Sequence, residues 1–360
     1  MTDYFLHTGM HKTGTKFFQH KVFPNLDKVE VSYNPPKLCQ LIADLLKAEP
    51  CDVDLVLDAI VKEKMRLEAG ITQKVLISRE IMSGDLFSFY KGYKENYTRL
   101  NRAFPEAKII MAMRYQVDWI VSCYRETLHE HHYQTIGQFL GFEPGDDRFV
   151  KADYRDLDYS SILTQIKTLF GVENMSVFFY EDFRKDKLEM LSHISDILGV
   201  DNIPVTDDGD TIPNRGYSAL AAVVSIKRYR CLKALGLDHY FVHRPIRFFG
   251  DGSIPAGFED LSVLPKEKYW HDEFLRDNEE IRSDGYPNNL SLLERWKHKV
   301  SWRNLMKENL DKITYKDWDL LGKYRPKLNA YFKGNNNKLL ELHCDVLKKA
   351  PINYTSESKG

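Results

Sequence analysis

The chain has 360 residues, is 43% hydrophobic and 29% charged, and carries a formal net charge of −1. That length buries a sizeable core in one large domain, or in a domain with an added lobe. The near-neutral balance excludes a chain-wide nucleic-acid binder, so any basic surface is local. The cysteines (Cys39, Cys51, Cys123, Cys231, Cys344) are odd in number and lack metal-ligand spacing, which points to a reducing compartment and away from a metal site.

The first predicted element is an apolar strand over residues 3–8. It runs into Gly9-Met10-His11-Lys12-Thr13-Gly14-Thr15-Lys16, two glycines five apart with a lysine between them and a helix start behind. Glycine lets the backbone turn tightly and brings its N–H groups close to a ligand. The helix N-terminus adds unpaired N–H donors and partial positive charge, and Lys12 adds a full charge. The loop is therefore read as a cradle for a phosphate or sulfate. It departs from the nucleoside-triphosphate loop, whose lysine directly follows the second glycine, because Thr15 stands there. Nor is there a clear acidic strand end of the kind that holds the metal in a magnesium-dependent kinase.

Gly9 to Thr15 resembles the 5′-phosphosulfate loop of sulfotransferases that use 3′-phosphoadenosine 5′-phosphosulfate (PAPS), closest to bacterial and carbohydrate-modifying members. The resemblance implies that Lys12 contacts the 5′-phosphate and the oxygen bridging to the sulfuryl group. Gly9, His11, Thr13, Gly14, Thr15 and Lys16 are the neighbouring contacts it implies. It also implies a P-loop-type, three-layer α/β/α fold around a central parallel sheet, with PAPS as co-substrate and no metal.

Further along, Leu38, Leu41, Ile42, Leu45 and Leu46 form a helical stripe, as do Val53, Val56, Leu57, Ile60 and Val61. Both are read as core. A strand over 74–79 ends at Ser78-Arg79-Glu80, and a strand over 108–114 ends at Arg114. Val117, Ile120, Val121, Tyr124 and Leu128 then give a helix, with Ser122 away from the centre of its stripe. An arginine at a strand end with a serine eight residues later resembles the family's 3′-phosphate site, and guanidinium suits a phosphate through paired hydrogen bonds. The family often has proline two residues after that arginine, where this chain has Gln116. Ile162, Leu163, Ile166, Leu169 and Phe170 precede a strand over 175–181. Ligands of parallel sheets bind at the carboxyl ends of strands, so the three strand ends point to one crevice.

Asn214 and Arg215 open a helix after an acidic loop. They are read either as a closing contact on the 3′-phosphate or adenine, or as helix punctuation with Asn214 or Ser218 as cap. The domain expectation is a core over 1–235, a helical aromatic-rich insertion or lid over 236–322, packing helices over 323–350 and a mobile tail over 351–360. Trp270, Trp296, Trp302 and Trp318 lie in the lid region with Arg295, Lys297, Lys299 and Arg303. Such a surface binds a sugar chain or anionic acceptor, or is simply a helical surface with buried tryptophans.

The function expected from the resemblance is transfer of the sulfuryl group to a hydroxyl or amine of a carbohydrate or glycolipid. The chemistry rests on positioning and on donors aimed at charge developing on the leaving phosphate, plus a general base. Glu80 is the first choice of base. Glu126 and His129 follow Ser122 on its helix, while His11 and His7 flank the loop. The alternatives are an atypical small-molecule kinase and a nucleotide-binding protein of the same fold without turnover. With no long apolar segment and no leader before the first strand, the expectation is a cytoplasmic, bacterial enzyme.

Overall fold

The computed structural model describes residues 2–29, 31–70, 73–130, 132–147, 149–201, 203, 216–236, 302, 305–314 and 316–347. Five strands, β1 (Asp3–Gly9), β2 (Val31–Tyr33), β3 (Lys74–Ser78), β4 (Lys108–Met113) and β5 (Met175–Phe179), form one sheet in the order β2-β3-β1-β4-β5. Every pairing is parallel. The expected α/β fold with a central parallel sheet is the one observed. The four expected strands are all present, and β2 is an addition. At three residues, followed closely by Pro35-Pro36, β2 is too short to show a period.

Connections are helical, as parallel pairing requires. The helices are α1 (Thr15–Phe17), α2 (Pro36–Lys47), α3 (Val53–Ala69), α4 (Tyr93–Ala103), α5 (Gln116–His129), α6 (Ile136–Phe139), α7 (Tyr159–Phe170), α8 (Tyr180–Lys185), α9 (Lys187–Leu198), α10 (Ala219–Ala234) and α11 (Arg325–Leu342), with a further single turn, Asp311–Ile313, before α11. After its single α turn, α1 widens into a π-helical stretch, Phe18–Val22, and a 3₁₀ stretch, Phe23–Val29.

Side chains alternate across each strand and so divide the core into two faces. Phe5, Leu76, Ile110, Ala112 and Phe178 pack with Phe18, Phe23, Leu26, Leu191, Ile194 and Leu198 on one face. On the other, Tyr4 packs against Phe104 at 5.3 Å between rings, and Thr8 accepts a hydrogen bond from Tyr97 of α4 at 3.0 Å. The stripe expected on α3 holds at Val53 and Ile60, which are buried, and fails at Val61, which is 46% exposed.

The described residues divide into two compact units. The first comprises Met1–Cys123, Lys151–Pro213 and Leu321–Gly360, so it contains the whole sheet. The second comprises Tyr124–Val150 and Asn214–Leu320. Within it, Ser218 caps α10 by accepting from the Ala221 N–H at 3.0 Å, and its hydroxyl and N–H both reach Asp311. Most of the expected lid, residues 237–301, lies outside the described residues, as do Arg303 and the 351–360 tail. No helix among the described residues is long and apolar enough to cross a membrane.

Candidate active site

The two ends of adjacent strands β1 and β4 carry the site. β1 ends at Gly9, whose φ of 84° is left-handed. A Cβ at Gly9 would stand 3.3 Å from the Glu80 Cα and 3.2 Å from its Cγ, so the position requires glycine on both counts. Gly14 repeats the requirement, with φ 85° and a Cβ that would meet the Phe183 ring at 3.0 Å. Lys12, between them, is a left-handed non-glycine at φ 64°. Backbone strain of that kind persists only where surrounding contacts hold it.

Those contacts are identifiable. The Met10 N–H donates to the Ala112 carbonyl at 3.0 Å, stitching the loop to β4. The hydroxyls of Thr13 and Thr15 both donate to the Met10 carbonyl, at 2.6 and 3.1 Å. Both threonine side chains are therefore turned into the loop, and anything they offer an anion comes from their backbone N–H groups. Lys16 is exposed at the helix start.

Arg114 follows β4, and its Nη1 donates to the Lys12 carbonyl at 3.1 Å. Its guanidinium carbon lies 4.7 Å from the Tyr180 ring centroid, a cation–π contact. Tyr159 of α7 donates to the Arg114 carbonyl at 2.8 Å. The next residue, Tyr115, donates its N–H to Glu181 Oε1 at 2.9 Å. Burial raises the Glu181 carboxyl above its ordinary range, against the hydrogen bond from Tyr115. Arg114, Asp118, Tyr180, Glu181, Arg184 and Lys185 line a cleft of about 310 Å³. Ser122 is half-buried on α5, one turn beyond Asp118 and so on the same helix face.

Gln116, where the resembled family often has proline, opens α5. Proline is at home at a first helical position. Here the glutamine side chain exchanges two hydrogen bonds with Asn336 of α11, at 2.6 and 3.0 Å, in a fully buried amide pair. Tyr115 also donates to Asn329 at 3.1 Å, and Arg325 lies 3.5 Å from Asp118. The C-terminal helix thus anchors the residues that follow Arg114.

Glu80 sits just past β3, half-buried, with Oε2 3.8 Å from His11 Nε2. The loop, Arg114, Ser122, Glu80 and His11 all belong to the first unit. His129 belongs to the second, where its Nδ1 lies 3.2 Å from Glu126 and its ring meets Tyr217 edge-on at 4.3 Å. His7 is fully buried in β1, paired with Ser78 at 2.7 Å, and burial drives its pKa down to about 3. Asn214 and Arg215 lie outside the described residues.

Sequence reasoning passed over Tyr90, Trp119, Tyr159, Tyr180 and Glu181. Their signal was slight. Tyr180 and Glu181 directly follow a strand, as Arg114 does, and Tyr90 lies between Gly84 and Gly92 in an aromatic stretch.

No protein-family model matches the chain, and no curated protein matches it. Among solved structures it is similar to a sulfotransferase from Alicyclobacillus acidocaldarius, at 19% identity and a TM-score of 0.42, covering 68% of this chain and 96% of that one.

Proposed function

We propose that this protein transfers a sulfuryl group from PAPS to a hydroxyl or amine of a carbohydrate or glycolipid. The observation that carries the reading is the 3.1 Å hydrogen bond between Arg114 and the Lys12 carbonyl, which joins the two anion-binding motifs at the ends of neighbouring strands. One nucleotide with a phosphate at each end suits such a pair of grips. The residues fit it: Gly9 and Gly14 give the loop its left-handed turns on either side of Lys12, and the cleft beside Arg114 is walled by the Tyr180 ring, Arg184 and Lys185. The acceptor class rests on the likeness of the loop to carbohydrate-modifying members.

When bound, the co-substrate supplies an activated sulfuryl group on a phosphate leaving group. Lys12 and the N–H groups of residues 12–16 oppose the negative charge that grows on that leaving phosphate, an electrostatic role that needs no metal. Arg114 and Ser122 hold the 3′-phosphate and so fix the nucleotide's orientation. Glu80, within reach of the loop that carries Lys12, takes the acceptor's proton.

Isothermal titration with 3′-phosphoadenosine 5′-phosphate (PAP) tests the reading directly. Wild type binds, and Arg114→Ala binds weaker by about 2–3 kcal/mol, the worth of a charge-assisted hydrogen bond and its buried partner. Lys12→Ala abolishes transfer. Unaltered PAP affinity in Arg114→Ala would remove the nucleotide assignment.

A further inference from the structure

The segment between β3 and α4 spends conformational energy on placing one hydroxyl. Phe89 and Tyr90 are consecutive non-glycine residues in the left-handed region, with φ 52° and 66°. Asp85 holds them there: its carboxylate accepts from the Ser88 N–H at 2.7 Å and its carbonyl from the Tyr90 N–H at 3.0 Å. Both aromatic rings are buried against Trp119, at 5.1 and 5.6 Å. Strain of this kind clusters where geometry serves function.

The hydroxyl so placed belongs to Tyr90, and both its partners lie in His11. It accepts from the His11 N–H at 2.8 Å and stands 3.2 Å from His11 Nδ1. From the other side, Trp119 Nε1 donates to the His11 carbonyl at 2.8 Å. The peptide units flanking His11, immediately before Lys12, are therefore held from two directions.

A phenol has one proton to give. Tyr90 is fully buried, and its oxygen already accepts from the backbone N–H, so its proton goes unpaired unless Nδ1 takes it. That places the His11 ring proton on Nε2, the nitrogen that faces Glu80 Oε2 at 3.8 Å. The separation is beyond hydrogen-bond length but close enough for an N–H on Nε2 to attract the carboxylate.

We propose that Tyr90 is a positioning residue: its hydroxyl donates to His11 Nδ1, sets the imidazole proton on Nε2, facing Glu80, and fixes the backbone that presents Lys12. The consequence for catalysis rests on the sulfuryl-transfer reading, in which Glu80 accepts the acceptor's proton. The ionisable groups around the Tyr90 hydroxyl are Glu80, Tyr159, Cys123 and His11. Burial holds the phenol well above its ordinary pKa, so it remains a donor throughout the working range.

The test is long-range proton–nitrogen NMR on the full chain with labelled histidine, the His11 signals being assigned by their loss in His11→Gln. In wild type at neutral pH, His11 shows the Nε2–H tautomer. In Tyr90→Phe, Nδ1 loses that donor and His11 no longer shows the Nε2–H tautomer alone. The kcat of the variant falls roughly tenfold, while PAP affinity changes less than kcat.

A wild-type His11 protonated on Nδ1 overturns the proposal, and needs no folded variant to observe. So does a Tyr90→Phe protein whose His11 tautomer matches wild type. If wild type neither binds PAP nor transfers, the function reading falls alone, because the spectra decide the tautomer without it.

Discussion

At the scale of single residues, the site depends on groups kept in one protonation state by burial. His7 is the clearest. Its Nδ1 pairs with Ser78, which also accepts from Gln19, and Phe178 stacks over its ring, so no compensating charge reaches it. The folded protein refuses a proton until about pH 3, whereas an unfolded histidine accepts one near 6.5. Stability from this group is complete above pH 6.5 and is lost as pH falls below it. Between pH 7 and pH 4 wild type should lose about 3 kcal/mol more than His7→Asn, read as the difference between two denaturant titrations. Parallel losses in the two proteins would show that His7 is not the acid-sensitive group.

Asp85 has the opposite sign. Burial raises its carboxyl to about 6, so the folded state holds the proton better than the unfolded chain does. Stability falls as pH rises from about 4 to 6, and the ionised carboxylate then costs roughly 2–3 kcal/mol at neutral pH. Asp85→Asn keeps an acceptor for the Ser88 N–H and removes the charge. It should raise the urea midpoint at pH 8 and gain nothing at pH 4. A variant less stable than wild type at pH 8 would contradict this account.

At the scale of elements, α11 is more than a covering helix. Its Asn336 completes the hydrogen bonding of Gln116 at the start of α5, two residues beyond Arg114. Truncating one partner leaves a buried amide unpaired and costs about 1–3 kcal/mol, while replacing both with apolar residues costs less than the two single changes together. A double-mutant cycle on Gln116→Leu and Asn336→Leu, followed by urea unfolding, should therefore show a coupling of at least 1 kcal/mol. Simple additivity would mean that the pair does not couple these helices.

At the scale of the whole molecule, nucleotide binding should be visible as stabilisation of the first unit, which holds Lys12 and Arg114. PAP at a hundred times its Kd adds about 2.7 kcal/mol and raises the melting temperature by a few degrees. Magnesium–ATP should do less. A larger shift with magnesium–ATP than with PAP would favour the kinase alternative.

The local backbone and the buried faces were legible along the chain. Gly9 and Gly14 do adopt left-handed backbone around Lys12, Arg114 does follow a buried strand, and the stripes at 38–46 and 162–170 do face the core. These features depend on neighbours within a few positions, where periodicity and glycine stereochemistry act. The strand order, the short edge strand β2, the outward turn of Val61, the Gln116–Asn336 pair and the grip of Tyr90 and Trp119 on His11 depend on residues that lie far apart in the chain. A hydrogen bond between positions 11 and 90, or 116 and 336, leaves no mark on the spacing of either segment. It comes into being only when packing brings the two together.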